Sequence, residues 1–117
     1  MRFLMMYKPD RPENVPLDPA VMARLSQNCA EMAKAGVLLI SEGLQPSSKG
    51  ARVRLTKGKI AVTDGPFTES KELIAGINVI QANSKAEAAE IAKKFIELAG
   101  DGEIEIRQVF EPSDFAQ

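Results

Sequence analysis

The side chains best suited to chemistry gather in the run Asp64-Gly65-Pro66-Phe67-Thr68-Glu69-Ser70-Lys71-Glu72. Ile60, Val62 and Asp64 follow one another at period two, so Asp64 takes the next place in an apolar row where that row runs out. A carboxylate at the rim of a core can act as a general base or anchor a ligand hydroxyl. Glu42 and Glu69 are its candidate partners, because two carboxylates in a half-buried pocket push one pKa upward and divide acid and base roles. The plainer role for Asp64 is to accept backbone N–H bonds in the turn, as aspartates before glycine commonly do; the two roles are compatible. Tyr7, at the end of the first apolar stretch, is a candidate to present its hydroxyl to the same rim, or else to pack with a wet tip. Arg54 is the candidate anion partner. Phe67 is read as a plug that pins the loop and as a ligand-lining residue. Glu69, Lys71 and Glu72 suit a solvated helical turn, with Glu69 the best functional candidate of the three.

Other chemistries find no residues to carry them. The 117 residues include no histidine, the side chain that titrates most readily near neutral pH and the commonest metal ligand. Proton transfer therefore falls to carboxylates, Tyr7 or a lysine. The sequence has no glycine-rich phosphate loop, no cluster with metal-ligand spacing and no nucleophile–base pair, so neither a metal nor a cofactor is expected. The single cysteine, Cys29, has no partner for an internal disulfide and falls in an apolar helical stripe, which reads as a structural thiol. Lys49, Arg52, Arg54, Lys57 and Lys59 form a basic run without an acid, yet no aromatic residue lies among them and the net charge is −1, so nucleic acid is not an expected partner. No apolar stretch approaches the roughly 20 residues of a membrane helix. A soluble, cytoplasmic chain folding as one domain over residues 1–117 is expected.

These side chains need elements to position them. Residues 2–7 alternate as a strand apolar on both faces, which places it centrally in a sheet. A proline-rich loop follows, ordered by lying on the domain. Asp18-Pro19 reads as an N-cap with proline at the first helical position, and the helix runs over 19–35 to Gly36. Residues 37–40 form a second strand continuing toward Leu44. Residues 51–56 and 59–63 form a hairpin around Lys57-Gly58, with Val53, Leu55, Ile60 and Val62 facing inward. A strand over 74–81 follows, and Ser84-Lys85-Ala86-Glu87 is a capping box that opens a helix carrying Ala88, Ile91, Phe95 and Leu98 on one stripe. Residues 103–109 make the last strand, and the tail after Pro112 is expected to be loose or to contact a partner.

The order strand, helix, strand, hairpin, strand, helix, strand predicts an α+β ferredoxin-like sandwich with an inserted hairpin. Two helices cover only one face of such a sheet. The strands that are apolar on both faces therefore call for a cover on the other side, and a second copy of the chain in a homodimer would supply it.

The run from Asp64 to Glu72 resembles the DGPF-type branch of the YCII-related family, as do Ala35-Gly36-Val37-Leu38 leading to Glu42-Gly43-Leu44-Gln45-Pro46, and the closing Glu105-Ile106-Arg107. The resemblance implies a dimeric α+β barrel with a pocket between the sheet and the helix or loop edge. It also implies, for some members, association with extracytoplasmic-function sigma factors. A few enzymes of the wider family act on small unsaturated lactones through a histidine–aspartate pair, which this chain lacks. The function expected from residues and resemblance together is the binding of a small polar or anionic metabolite, with a regulatory role. The alternative is a cofactor-independent lyase or isomerase that uses Asp64 as acid and base.

Overall fold

A computed structural model describes residues 1–68 and 73–115. Eight elements follow in chain order: β1 (Arg2–Pro9), α1 (Pro19–Lys34), β2 (Leu38–Gly43), β3 (Ala51–Thr56), β4 (Lys59–Asp64), β5 (Gly76–Gln81), α2 (Lys85–Ala99) and β6 (Gly102–Gln108). The local signals account for the boundaries. The Asp18 carboxylate accepts the Ala20 N–H at 2.8 Å and Pro19 opens α1, while Gly36 leaves the helix at φ +78°. Ser84 Oγ accepts the Glu87 N–H at 3.1 Å to open α2, which closes at Gly100 with φ +103°. Lys57 and Gly58 both have positive φ, as a two-residue turn matched to strand twist requires. The strand expected over 74–81 begins two residues later, at Gly76.

β2, β5, β1 and β6 lie side by side in that order, all pairs antiparallel, which is the ferredoxin-like arrangement. α1 packs on β2, and α2 on β1 and β6. Phe3, Met5 and Tyr7 alternate toward the helices and are buried, as are Leu38 and Ile80. Ile80 is fully buried, opposite Phe3 on one side and Leu38 on the other, and its burial is worth about 1.5–3 kcal/mol. On α2 the buried stripe is Ala88, Ala92, Phe95 and Ala99, rotated slightly from the expected one, so that small residues let the helix approach the sheet. β5 lies between the strands that the two helices cover. Its helix-side residues, Asn78 and Ile80, therefore sit beneath the seam between α1 and α2.

Among the described residues nothing covers the opposite face of this sheet. Leu4, Met6, Ile40, Ile77 and Val79 share it, bordered by Glu42, Glu105 and Arg107. Ion pairs hold the β6 margin: Lys8 Nζ lies 3.0 Å from Glu105, whose pKa is lowered by that hydrogen bond and by Arg107. The tail is tied rather than loose up to Phe115. Glu111 pairs with Arg2 at 2.9 Å and a short 3₁₀ turn follows over Pro112–Phe115. The proline-rich loop does lie on the domain, with Leu17 against the core and Glu13 engaged as described below.

The hairpin departs from expectation. Among the described residues β3 and β4 pair only with each other, as a separate two-stranded sheet. Val53, Leu55, Ile60 and Val62 do share one face, but they are 64–71% exposed instead of inward. Period-two alternation identifies a common face; it does not say whether the same chain has anything to lay against it.

Candidate functional site

The Asp64–Phe67 turn is built around Ser47. The Glu13 carboxylate accepts the Ser47 N–H at 2.8 Å and its hydroxyl at 2.7 Å, and Ser47 Oγ in turn accepts the Phe67 N–H at 3.0 Å. Gly65 N–H donates to the Gly50 carbonyl at 3.0 Å. Gly65 lies so close to this loop that a Cβ placed on it would meet the Ser47 carbonyl oxygen and come within 2.6 Å of the carbonyl carbon. The Gly65–Pro66 peptide is cis. Three segments distant in sequence thus meet in one knot.

Asp64 plays no part in that knot. It closes β4 opposite Ala51, exposed, on the same hairpin face as Val53 and Val62. Among the described residues its carboxylate has no hydrogen-bond or ion-pair partner, so the turn-capping role expected for it falls to Ser47 and Glu13 instead. Phe67 is half-buried, with the Arg52 guanidinium 3.8 Å above its ring, and Arg54 is the next same-face residue along β3. Glu42 lies opposite Ile77 on the open face of the main sheet. Glu69, with Lys71 and Glu72, lies outside the described residues.

Tyr7 does not reach the Asp64 rim. Its side chain points to the helix-covered side of the sheet, opposite to the face carrying Glu42. The hydroxyl lies 2.9 Å from the Gly100 carbonyl oxygen, with those of Ala99 and Asp101 at 3.3 and 3.4 Å, and the ring meets Phe95 edge-on. It satisfies carbonyls left open at the end of α2. Burial raises its pKa, against the opposing pull of Arg11. Tyr7→Phe should therefore cost about 1–2 kcal/mol by orphaning these carbonyls. A raised folded-state pKa means that the hydroxyl's contribution is intact below about pH 10 and lost as pH rises through the folded value. Melting curves from pH 7 to 11 should show the wild-type advantage over Tyr7→Phe shrinking at the alkaline end.

A different set of polar groups lies on α1 and on the helix side of β2 and β5. Asn78 is 3% exposed, on the helix side of β5, and its Oδ1 has no donor; Asn28 Nδ2, buried on α1, has no acceptor. These are the two buried side-chain polar atoms without a partner among the described residues. Ser41 pairs with Asn78 across β2 and β5, and its Oγ is 3.8 Å from Cys29 Sγ, on the residue next to Asn28. Cys29 is half-buried against both parts of the core. Ser41 lies on an edge strand and is exposed. A signal for this site was present: Asn78 interrupts an inward row in a strand otherwise apolar on both faces.

The YCII-related domain matches residues 1–113. An uncharacterised protein of Rhizobium meliloti (strain 1021) is 36% identical over 76 residues, which is 65% of this chain and 61% of that protein. The match thus spans about three fifths of the relative's length.

Proposed function

We propose, from the premise that this chain belongs to the YCII-related family, that it is a homodimeric binding protein for a small polar or anionic metabolite, regulatory in role. The motif run at Asp64–Glu72 supports placing it in the DGPF branch. Sigma-factor association follows only from that branch.

The observation that carries the binding reading is two orphaned buried amide atoms, Asn28 Nδ2 on α1 and Asn78 Oδ1 on the helix side of β5. A buried amide oxygen without a donor and a buried amide nitrogen without an acceptor each cost about 1–3 kcal/mol. A chain with no use for them would gain stability by replacing them with apolar residues. A ligand whose inner end presents one donor and one acceptor, such as a carboxamide or a carboxylic acid, would complete both. The homodimer is supported by the open apolar face of Leu4, Met6, Ile40, Ile77 and Val79.

The test is a thermal-shift screen of wild type and Asn78→Leu against a metabolite library. A ligand at a hundred times its Kd adds about 2.7 kcal/mol, on the order of 10 °C for a domain of this size. Asn78→Leu should melt at or above the ligand-free wild type and lose the ligand shift. A ligand that shifts both proteins equally binds elsewhere and sinks the seam as its site.

The second reading, a cofactor-independent lyase or isomerase, is favoured by the uncommitted carboxylate of Asp64. It expects Asp64→Asn to abolish turnover of such a ligand while leaving the melting temperature unchanged. An equal rate in both proteins removes Asp64 as the acid–base group.

A further inference from the structure

We propose that the outer edge of β6 pairs with the same edge of a second copy of this chain, joining two four-stranded sheets into one. This contact is separate from the open sheet face invoked above, and neither needs the other.

The ladder fixes which backbone groups of β6 are unspent. Val109 N–H donates to the Arg2 carbonyl at 2.9 Å and Asp10 N–H to the Asp101 carbonyl at 3.1 Å, one at each end of the β1–β6 register. Bonded pairs alternate along an antiparallel ladder. Glu103, Glu105 and Arg107 therefore turn their N–H and C=O groups toward β1, while Ile104, Ile106 and Gln108 turn theirs outward. Among the described residues β6 pairs with β1 alone, so this outward row meets no strand. Such an edge is a template for another chain unless it is blunted. β2, the other outer strand of the sheet, is blunted by the register shift between Leu38 and Ile40. β6 runs regularly over Gly102–Gln108 with neither proline nor lysine.

Charge selects a second copy as the occupant and sets its register. With a two-fold axis through Ile106, Ile104 of each chain exchanges two main-chain bonds with Gln108 of the other, and Ile106 does so with its own duplicate. Glu105 then lies directly opposite Arg107 of the second copy, once on each side of the axis. Opposite charges placed this way stabilise a strand pair. A two-fold through Glu105 or through Arg107 would set like charges against each other instead. Arg107 can turn to the new partner, since its side chain is 72% exposed and its present tie to Glu105, at 3.3 Å, is a surface ion pair.

A third observation lies at the ends of this junction. Phe110 and Phe115 stack with ring centroids 5.0 Å apart, yet both are largely exposed. Continued past Gln108, the same register brings Phe110 opposite Gly102 of the second copy. Gly102 borders an open depression of about 440 Å³, lined also by Ile96 and Glu97 near the end of α2. Cover for the aromatic pair and filling for the depression come from one alignment.

Backbone hydrogen exchange resolved by residue, alongside sedimentation equilibrium, tests this on the full chain. In the assembled wild type the amides of Ile104, Ile106 and Gln108 should exchange as slowly as those of Glu103, Glu105 and Arg107. On dilution the first three alone should lose that protection, an alternation that packing through the sheet face does not produce. Gln108→Pro removes an outward donor while leaving the ladder to β1 intact, and Arg107→Glu sets an acid opposite Glu105. Far-UV circular dichroism checks that both variants keep the fold. Each should raise the dissociation constant of the edge contact at least about tenfold. Fast exchange at all three amides in a protein that sediments as a dimer overturns the edge and leaves a homodimer through the open face standing. A wild-type monomer at every concentration overturns both contacts. Protection that survives both variants undiminished also overturns the pairing, since something other than a second β6 then caps the edge.

Discussion

Replacing Gly65 with alanine is expected to lower the melting temperature by about 10 °C, the largest effect of any single methyl group in the loops. The added Cβ would coincide with the Ser47 carbonyl oxygen and crowd its carbonyl carbon and the Ser48 nitrogen, which lies 3.2 Å away. These are backbone atoms, with no rotamer to swing aside. Relief requires the 47–50 segment or the turn to move, and either movement breaks the Phe67 N–H bond to Ser47 Oγ and the Gly65 N–H bond to Gly50. Two hydrogen bonds at about 1 kcal/mol each, with crowding added, make roughly 3 kcal/mol. At several degrees per kcal/mol for this size, the expected shift follows. Calorimetry on wild type and Gly65→Ala measures it. A variant melting within 2 °C of wild type would show that the close approach to Ser47 is not needed.

Asn78→Asp is expected to be destabilised by about 3–5 kcal/mol at pH 7 and to recover in acid. The substitution keeps the shape and puts a carboxylate at a position 3% exposed, with no cation shown to reach it. Desolvation raises such a group's pKa in the folded state. The folded protein then holds the proton more tightly than the unfolded chain. The variant's stability is therefore full below the unfolded aspartate value near 4 and is lost as pH rises through the raised folded value. Urea melts of both proteins at pH 4, 5, 6, 7 and 8 should show a gap that opens with pH. A gap constant across that range would mean that the carboxylate stays solvated and that Asn78 is not the floor of a buried site.

Much of the fold was legible in the amino-acid sequence because it depends on neighbours close along the chain. Asp18-Pro19, Ser84 with Glu87, and Gly36 and Gly100 are caps whose physics is complete within a few residues, and they bound the helices as expected. The alternation of Phe3, Met5 and Tyr7 with Leu4 and Met6 was enough to identify a central strand. Each helix returns the chain to start a parallel strand, β1 with β2 and β5 with β6, and interleaving the two units makes every neighbouring pair antiparallel.

The site was a different matter. Asp64, Tyr7 and Glu42 each end or border an apolar row, which is what groups them by pattern. Yet alternation gives a face relative to the residue's own strand, and the three rows belong to different faces or different sheets. Tyr7 went to the α2 terminus because carbonyls there lacked a donor, a need created by a helix over ninety residues away. Ser47 and Glu13 took over the turn because Gly65 let their loop approach, which no local pattern announces. The sequence by itself determined the elements, the caps and the fold class, since each rests on short-range sterics and hydrogen bonding. Only the tertiary structure decided which polar groups meet and which stay unpaired. It also left the hairpin's inward face bare, since burial belongs to whatever surface comes to lie opposite.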